Sequence, residues 1–169
     1  MTITRRLLIW SFVVWSLAAL ALTAPRGAAA GELVAMNGYQ AGSIVIMTGA
    51  RQLYYVLGNG QAIRYPVGVG RAGMAWHGRA YVAQKLLSPA WRAPPDIARN
   101  APVIPGGSPR NPMGAAVLGL SRGNYAIHGT NDPASIGRFV SHGCIRMLNA
   151  DVLDLYQRVP IGADVLVLR

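Results

Sequence analysis

Hydrophobic positions along this chain fall into three regimes. From Leu7 to Leu22 the apolar run is broken only by Ser11 and Ser16, and Arg5 and Arg6 precede it. From residue 43 onward, short blocks rich in β-branched and aromatic residues recur between turn-forming residues. That rhythm predicts strands over 43–47, 52–57, 61–67, 79–83, 115–120, 124–127 and 163–168. Gly58-Asn59-Gly60 holds the Asn-Gly pair that closes a tight hairpin. Helical spacing belongs to 150–158, where Val152, Leu155, Tyr156 and Val159 share one face. Asn149 is the predicted N-cap and Pro160 the stop, with Asp151 and Arg158 at the ends the helix dipole favours. Asp132-Pro133 predicts a brief second turn through Ile136. Together these elements predict a mainly-β fold, a sandwich or small barrel with one or two short helices.

The third regime is 88–114, which holds seven of the eleven prolines. Such density excludes a central strand or a helix. A loop this long inside a compact domain is usually functional or disordered, and Trp91 within it argues against disorder. It is expected to be a rigid loop bordering a substrate groove.

The N-terminal pattern changes the compartment. A basic start, an apolar stretch and Ala28-Ala29-Ala30 before Gly31 read as a secretory signal peptide cleaved after Ala30. Residues 1–30 are then signal peptide, and 31–169 form a single domain with no membrane span after cleavage. Beyond position 30 lie 13 basic and 6 acidic residues, a net charge of +7. The surplus favours an anionic partner. Export and the scatter of the basic residues exclude nucleic acid, so a carboxylate-rich envelope polymer fits better. A basic surface that only aids solubility is the plainer alternative.

Candidate chemistry centres on Ser141-His142-Gly143-Cys144-Ile145-Arg146, which contains the single cysteine. A lone thiol in an exported protein has no internal disulfide partner, and beside histidine and glycine it reads as a nucleophile. His128, sixteen positions upstream at the end of a predicted strand, is the candidate base. The Gly129 carbonyl is placed to fix its tautomer, the task a carboxylate performs in other triads. Backbone N–H groups of the His142-Gly143-Cys144 turn are candidate oxyanion donors, and Gly143 permits a sharp turn there. His77 carries no partner motif and reads as structural. A zinc site from His128, His142 and Cys144 lacks regular ligand spacing, so no metal is expected.

These residues together resemble the L,D-transpeptidase catalytic domain, the YkuD-type family of bacterial cell-wall enzymes. The core of the likeness is His128-Gly129-Thr130 followed by Ser141-His142-Gly143-Cys144-Ile145-Arg146-Met147. It extends from Tyr65-Pro66-Val67-Gly68-Val69-Gly70 through Asn111-Pro112-Met113-Gly114 to Val159-Pro160-Ile161-Gly162. The resemblance implies a family-type β-sandwich with the nucleophile in a turn before the main helix. It also implies Cys144 as nucleophile and His128 as general base. Many members carry Asn where this chain has Arg146; arginine there is familiar in the branch resembling periplasmic Gram-negative enzymes. Arg146 could grip a stem-peptide carboxylate or brace the turn. Ser141, Arg146, Trp91 and Asn111 are the substrate-binding candidates.

The implied activity is a cysteine acyltransferase acting on peptidoglycan in the periplasm, with no cofactor. Cys144 would attack the third-residue carbonyl of a tetrapeptide stem and release D-alanine. The acyl group would then pass to an amine, giving a 3-3 cross-link or anchoring an outer-membrane lipoprotein. Carbapenems are expected to acylate the same thiol. The alternatives are an L,D-carboxypeptidase or amidase acting on the same bond, and a noncatalytic peptidoglycan-binding protein.

Overall fold

A computed structural model describes residues 30–169 apart from Asp96. The predicted signal peptide up to residue 29 lies outside the described residues. The first four strands are β1 (Glu32–Ala35), β2 (Ile44–Met47), β3 (Gln52–Gly58) and β4 (Gln61–Pro66). Then come β5 (Val69–Gly70), β6 (Gly78–Leu87), β7 (Ala116–Leu120) and β8 (Ala126–His128). β9 (Phe139–Ser141), β10 (Ile145–Arg146), helix α1 (Asn149–Arg158) and β11 (Asp164–Leu168) complete the order. No helix among the described residues is long and apolar enough to cross a membrane.

Nine strands join in the order β1-β4-β3-β2-β11-β6-β7-β8-β10, and β5 pairs separately with β9. The hinge of this arrangement is β6. Its first half pairs with β11 and its second half with β7, with a register shift between Val82 and Gln84. The strand thus passes from one half-sheet into the other, as strands do at the corners of sandwiches. Both halves feed one core: Ile44, Leu53 and Tyr65 come from one side, Leu118, Ile127 and Ile145 from the other.

Local sequence explains the placement. β2 is apolar throughout and central, lying between β3 and β11, and it buries both faces. Ile44 and Ile46 enter the main core, while Val45 joins a smaller cluster with Met36, Val56 and Ala62 on the other face. The β3–β4 hairpin turns at Asn59 and Gly60, both at positive φ (51° and 73°). That is the conformation a two-residue hairpin loop requires. Val152 and Leu155 of α1 and Val159 just after it are buried in the main core, and Tyr156 packs against it.

Two helical expectations need correction. The helix begins one residue early, at Asn149, and no side chain caps it. The Asn149 carboxamide instead accepts hydrogen bonds from Ala115 N–H (3.0 Å) and Thr130 N–H (3.1 Å). Its oxygen serves two loops, so it is not available to its own helix. The Asp132-Pro133 signal yields a 3₁₀ turn over Pro133–Ser135, also without a side-chain cap from Asp132.

Candidate active site

The nucleophile candidate and the base candidate sit on neighbouring strands. β8 and β10 run parallel with Ile127 opposite Ile145 and His128 opposite Arg146. Side chains alternate along strands, so each pair shares a face. Ile127 and Ile145 point into the core, where both are essentially inaccessible. His128 and Arg146 therefore take the opposite face, and Cys144 precedes β10 on that same side. The sixteen-residue separation is spent on an excursion through the 3₁₀ turn and β9, which returns the chain beside its starting strand.

His128 is buried at 2% exposure. Its Nδ1 lies 2.6 Å from the Gly129 carbonyl oxygen. A carbonyl only accepts, so Nδ1 carries the proton and Nε2 keeps its lone pair. Burial, reinforced by the positive charge of Arg146, pushes the imidazole down to about 4 against the favourable Gly129 and Pro112 carbonyls. The ring is neutral at pH 7 and able to accept a proton at Nε2.

Cys144 is partly buried. Its Sγ approaches the Asn124 carbonyl oxygen at 3.8 Å, and that contact, not the imidazole, is its hydrogen-bond partner among the described residues. Burial raises the thiol, opposed by an Ala126 backbone hydrogen bond and by Arg146. The resting pair is thus neutral thiol and neutral imidazole. Among the described residues, Arg146 is the one cation that bears on both, favouring thiolate and disfavouring imidazolium.

The turn before Cys144 is held from several sides. Ser141 Oγ donates to the Cys144 carbonyl (2.6 Å) and accepts from Gly143 N–H (3.0 Å). Gly143 has φ 119°, and a Cβ there would collide with the Tyr125 ring. Trp76 Nε1–H donates to the Gly143 carbonyl at 3.0 Å. His142 is exposed, and Arg71 donates to its Nε2 at 2.9 Å.

A groove of about 340 Å³ opens over the thiol, lined by Pro94, Ile97, Gly123, Asn124, Tyr125, His142 and Cys144. Pro94 and Ile97 belong to the proline-rich segment, which therefore forms one wall. Asn111 knots that segment from inside. At 2% exposure, its Nδ2 donates to the Pro89 and Pro105 carbonyls (2.9 and 3.1 Å), and its Oδ1 accepts from Met113 N–H (2.9 Å). Trp91 bonds through its backbone to Ile104 and is not among the residues lining the groove. Of the four substrate-binding candidates, Ser141 and Asn111 thus have their polar atoms committed internally. Of the four, Arg146 is the one whose charge acts on both His128 and Cys144.

Trp76, Tyr125 and Asn124 carry no motif signal in sequence. The one available hint was the indole of Trp76, whose N–H needs a partner wherever it is buried. Among the described residues, no group of three or more His, Cys, Asp or Glu side chains is placed to hold a metal ion.

Comparison with known proteins gives matches of one kind. Residues 41–167 match the YkuD family, described as the L,D-transpeptidase catalytic domain. The probable L,D-transpeptidase YbiS of Escherichia coli is 38% identical over 127 residues, covering 68% of this chain and 40% of that protein. The putative L,D-transpeptidase YqjB of Bacillus subtilis is 51% identical over 69 residues, 38% of this chain and 39% of its own length. The chain therefore spans about two fifths of these curated relatives. Among solved structures, L,D-transpeptidase 3 from Mycobacterium tuberculosis superposes with a TM-score of 0.59 at 18% identity, covering 75% of this chain and 60% of that one. The LD transpeptidase LdtMt1 in complex with imipenem superposes at 0.58 with 16% identity, covering 74% and 57%.

Proposed function

The chain belongs to the L,D-transpeptidase catalytic-domain family, and from that premise we propose that it is a peptidoglycan acyltransferase working through Cys144 and His128. The observation that supports the reading is the pairing of β8 with β10: His128, its Nδ1 held by the Gly129 carbonyl, ends the strand next to the one that Cys144 precedes, and Cys144 lines an open groove. As a substrate carbonyl enters, Cys144 Sγ forms a bond to the carbonyl carbon of the third stem residue and its proton passes to His128 Nε2. The oxyanion is held by backbone N–H of the nucleophile turn. Collapse breaks the C–N bond to D-alanine, and His128 returns its proton to the departing amine. The thioester is then attacked by an acceptor amine, whose proton His128 takes. Collapse of the second tetrahedral species breaks the C–S bond, and that proton restores the Cys144 thiol.

Arg146 sits where it could stabilise the thiolate as it forms or grip a stem carboxylate. The acceptor, an amine of another stem or of an outer-membrane lipoprotein, is chosen by the walls of the groove. The reading places the protein in the periplasm, delivered by the predicted signal peptide.

Mass spectrometry after incubation with disaccharide-tetrapeptide, run beside Cys144→Ala, tests this. A cross-linked dimer lacking one D-alanine, absent from the variant, is expected. Tripeptide alone would assign the same thiol to a hydrolase. Unchanged substrate bound equally by both proteins would make the chain a binder and sink the enzymatic reading.

A further inference from the structure

Trp76 lies far from the signature in sequence but directly beneath the nucleophile turn in space. Its indole N–H donates to the carbonyl of Gly143, the residue before the nucleophile, at 3.0 Å. That carbonyl and the N–H of Cys144 belong to one peptide group. A trans peptide is planar, and its C=O and N–H point in opposite directions. Whatever holds the carbonyl inward therefore aims the Cys144 N–H outward. We propose that Trp76 is a positioning residue that sets the oxyanion donor by fixing the Gly143–Cys144 peptide plane.

Three further observations support this. First, the plane needs fixing: Gly143 at φ 119° lies in a region where only glycine moves freely, so this peptide is the one most able to rotate. Second, the alternatives are taken or free in the required pattern. The Gly143 N–H is bound to Ser141 Oγ, whereas the Cys144 N–H has no partner among the described residues. The turn thus presents the Cys144 amide as its available donor, and that amide's direction matters. Third, the indole itself is immobilised. Trp76 is buried and stacks on Tyr125 at 5.1 Å with the planes 5° apart, and the Arg122 guanidinium lies over the indole ring at 5.4 Å. Tyr125 in turn packs against Gly143 and lines the groove. Rotation of the peptide would leave a buried indole donor unpaired.

This inference rests on the acyl-transfer reading, and its test separates the two. Two reagents attack or are attacked by the same thiol. A carbapenem such as imipenem is opened through a tetrahedral oxyanion. Iodoacetamide is displaced at carbon without one. In Trp76→Phe the stack survives and the donor is lost. Removing a single oxyanion donor elsewhere slows catalysis about 10²–10³-fold; loosening one is expected to slow imipenem acylation at least ~10-fold. Iodoacetamide alkylation of Cys144 should stay within about twofold, as it senses the thiol alone. Should the phenylalanine variant not fold, 3-benzothienylalanine at position 76 keeps the ring shape and replaces N–H by sulfur. Acylation within twofold of wild type would overturn the role of Trp76. So would a parallel loss of alkylation, which would mean that the thiol or the whole turn had changed. Absence of acylation in the wild-type protein would defeat the acyl-transfer reading itself.

Discussion

The two histidines of the signature occupy opposite surroundings. His128 ends a regular strand, is 2% exposed, and is oriented by the backbone carbonyl next to it. His142 stands on an irregular turn, exposed, with its Nε2 facing Arg71. The proposed base is thus prepared by the sheet and by dryness, whereas the proposed nucleophile is prepared by side chains gathered around a turn. Strand geometry provides a fixed direction at no further cost. A turn with glycine at its centre has to be held by Ser141, Trp76 and Tyr125. The base side should therefore fail all at once, and the nucleophile side by degrees.

The largest effect is expected at His128. His128→Ala removes the proton acceptor while leaving the thiol and its groove. Acylation by imipenem should fall by about 10²–10⁴-fold, the usual weight of a general base. Far-UV circular dichroism should stay native. Acylation at near wild-type rate would take His128 out of the base role and leave the sheet with no part in the chemistry.

The dryness of His128 should also be readable as stability. Its imidazole lies near 4 in the folded protein, with an ordinary value of 6.5 in the unfolded chain. Above pH 6.5 both states are neutral, and the site contributes no pH dependence. Between 6.5 and 4 the unfolded chain binds a proton that the folded chain refuses, so stability falls as pH falls. A displacement of that size corresponds to about 3 kcal/mol by pH 4. Urea unfolding at several pH values should show this loss in wild type and a reduced one in His128→Asn. Parallel curves for the two proteins would mean that burial does not govern the ring.

The same contrast explains what could be read in the sequence. Strands with alternating or continuous apolar residues were legible, from Ile44–Met47 to Asp164–Leu168, as was the Asn59-Gly60 turn. Their signals are local. β1, β5, β9 and β10 were not, because two to four residues held by distant partners leave no period to detect. Cys144 and His128 stood out by chemistry and by motif. Asn149 has the side-chain chemistry of a helix cap, whereas its actual partners at Ala115 and Thr130 are set by tertiary folding. Trp76 was invisible for the same reason: nothing near it in sequence announces that its indole lies under residue 143.

The smallest effect is expected on the nucleophile side, at Ser141. Its hydroxyl is buried and bridges the turn, donating to the Cys144 carbonyl and accepting from Gly143 N–H. Ser141→Ala leaves both groups short of a partner, at a cost of about 1–3 kcal/mol. Tm should drop by several degrees. Acylation should slow by less than in His128→Ala, since Trp76 and Tyr125 still grip the other side of the turn. Ser141→Thr supplies the hydroxyl again and should restore most of both. If Ser141 instead contacted substrate, the alanine variant would keep its Tm and lose apparent affinity for the tetrapeptide. A fall in acylation as deep as that of His128→Ala would show that the turn, like the strand, fails all at once, and would erase the distinction between the two sides.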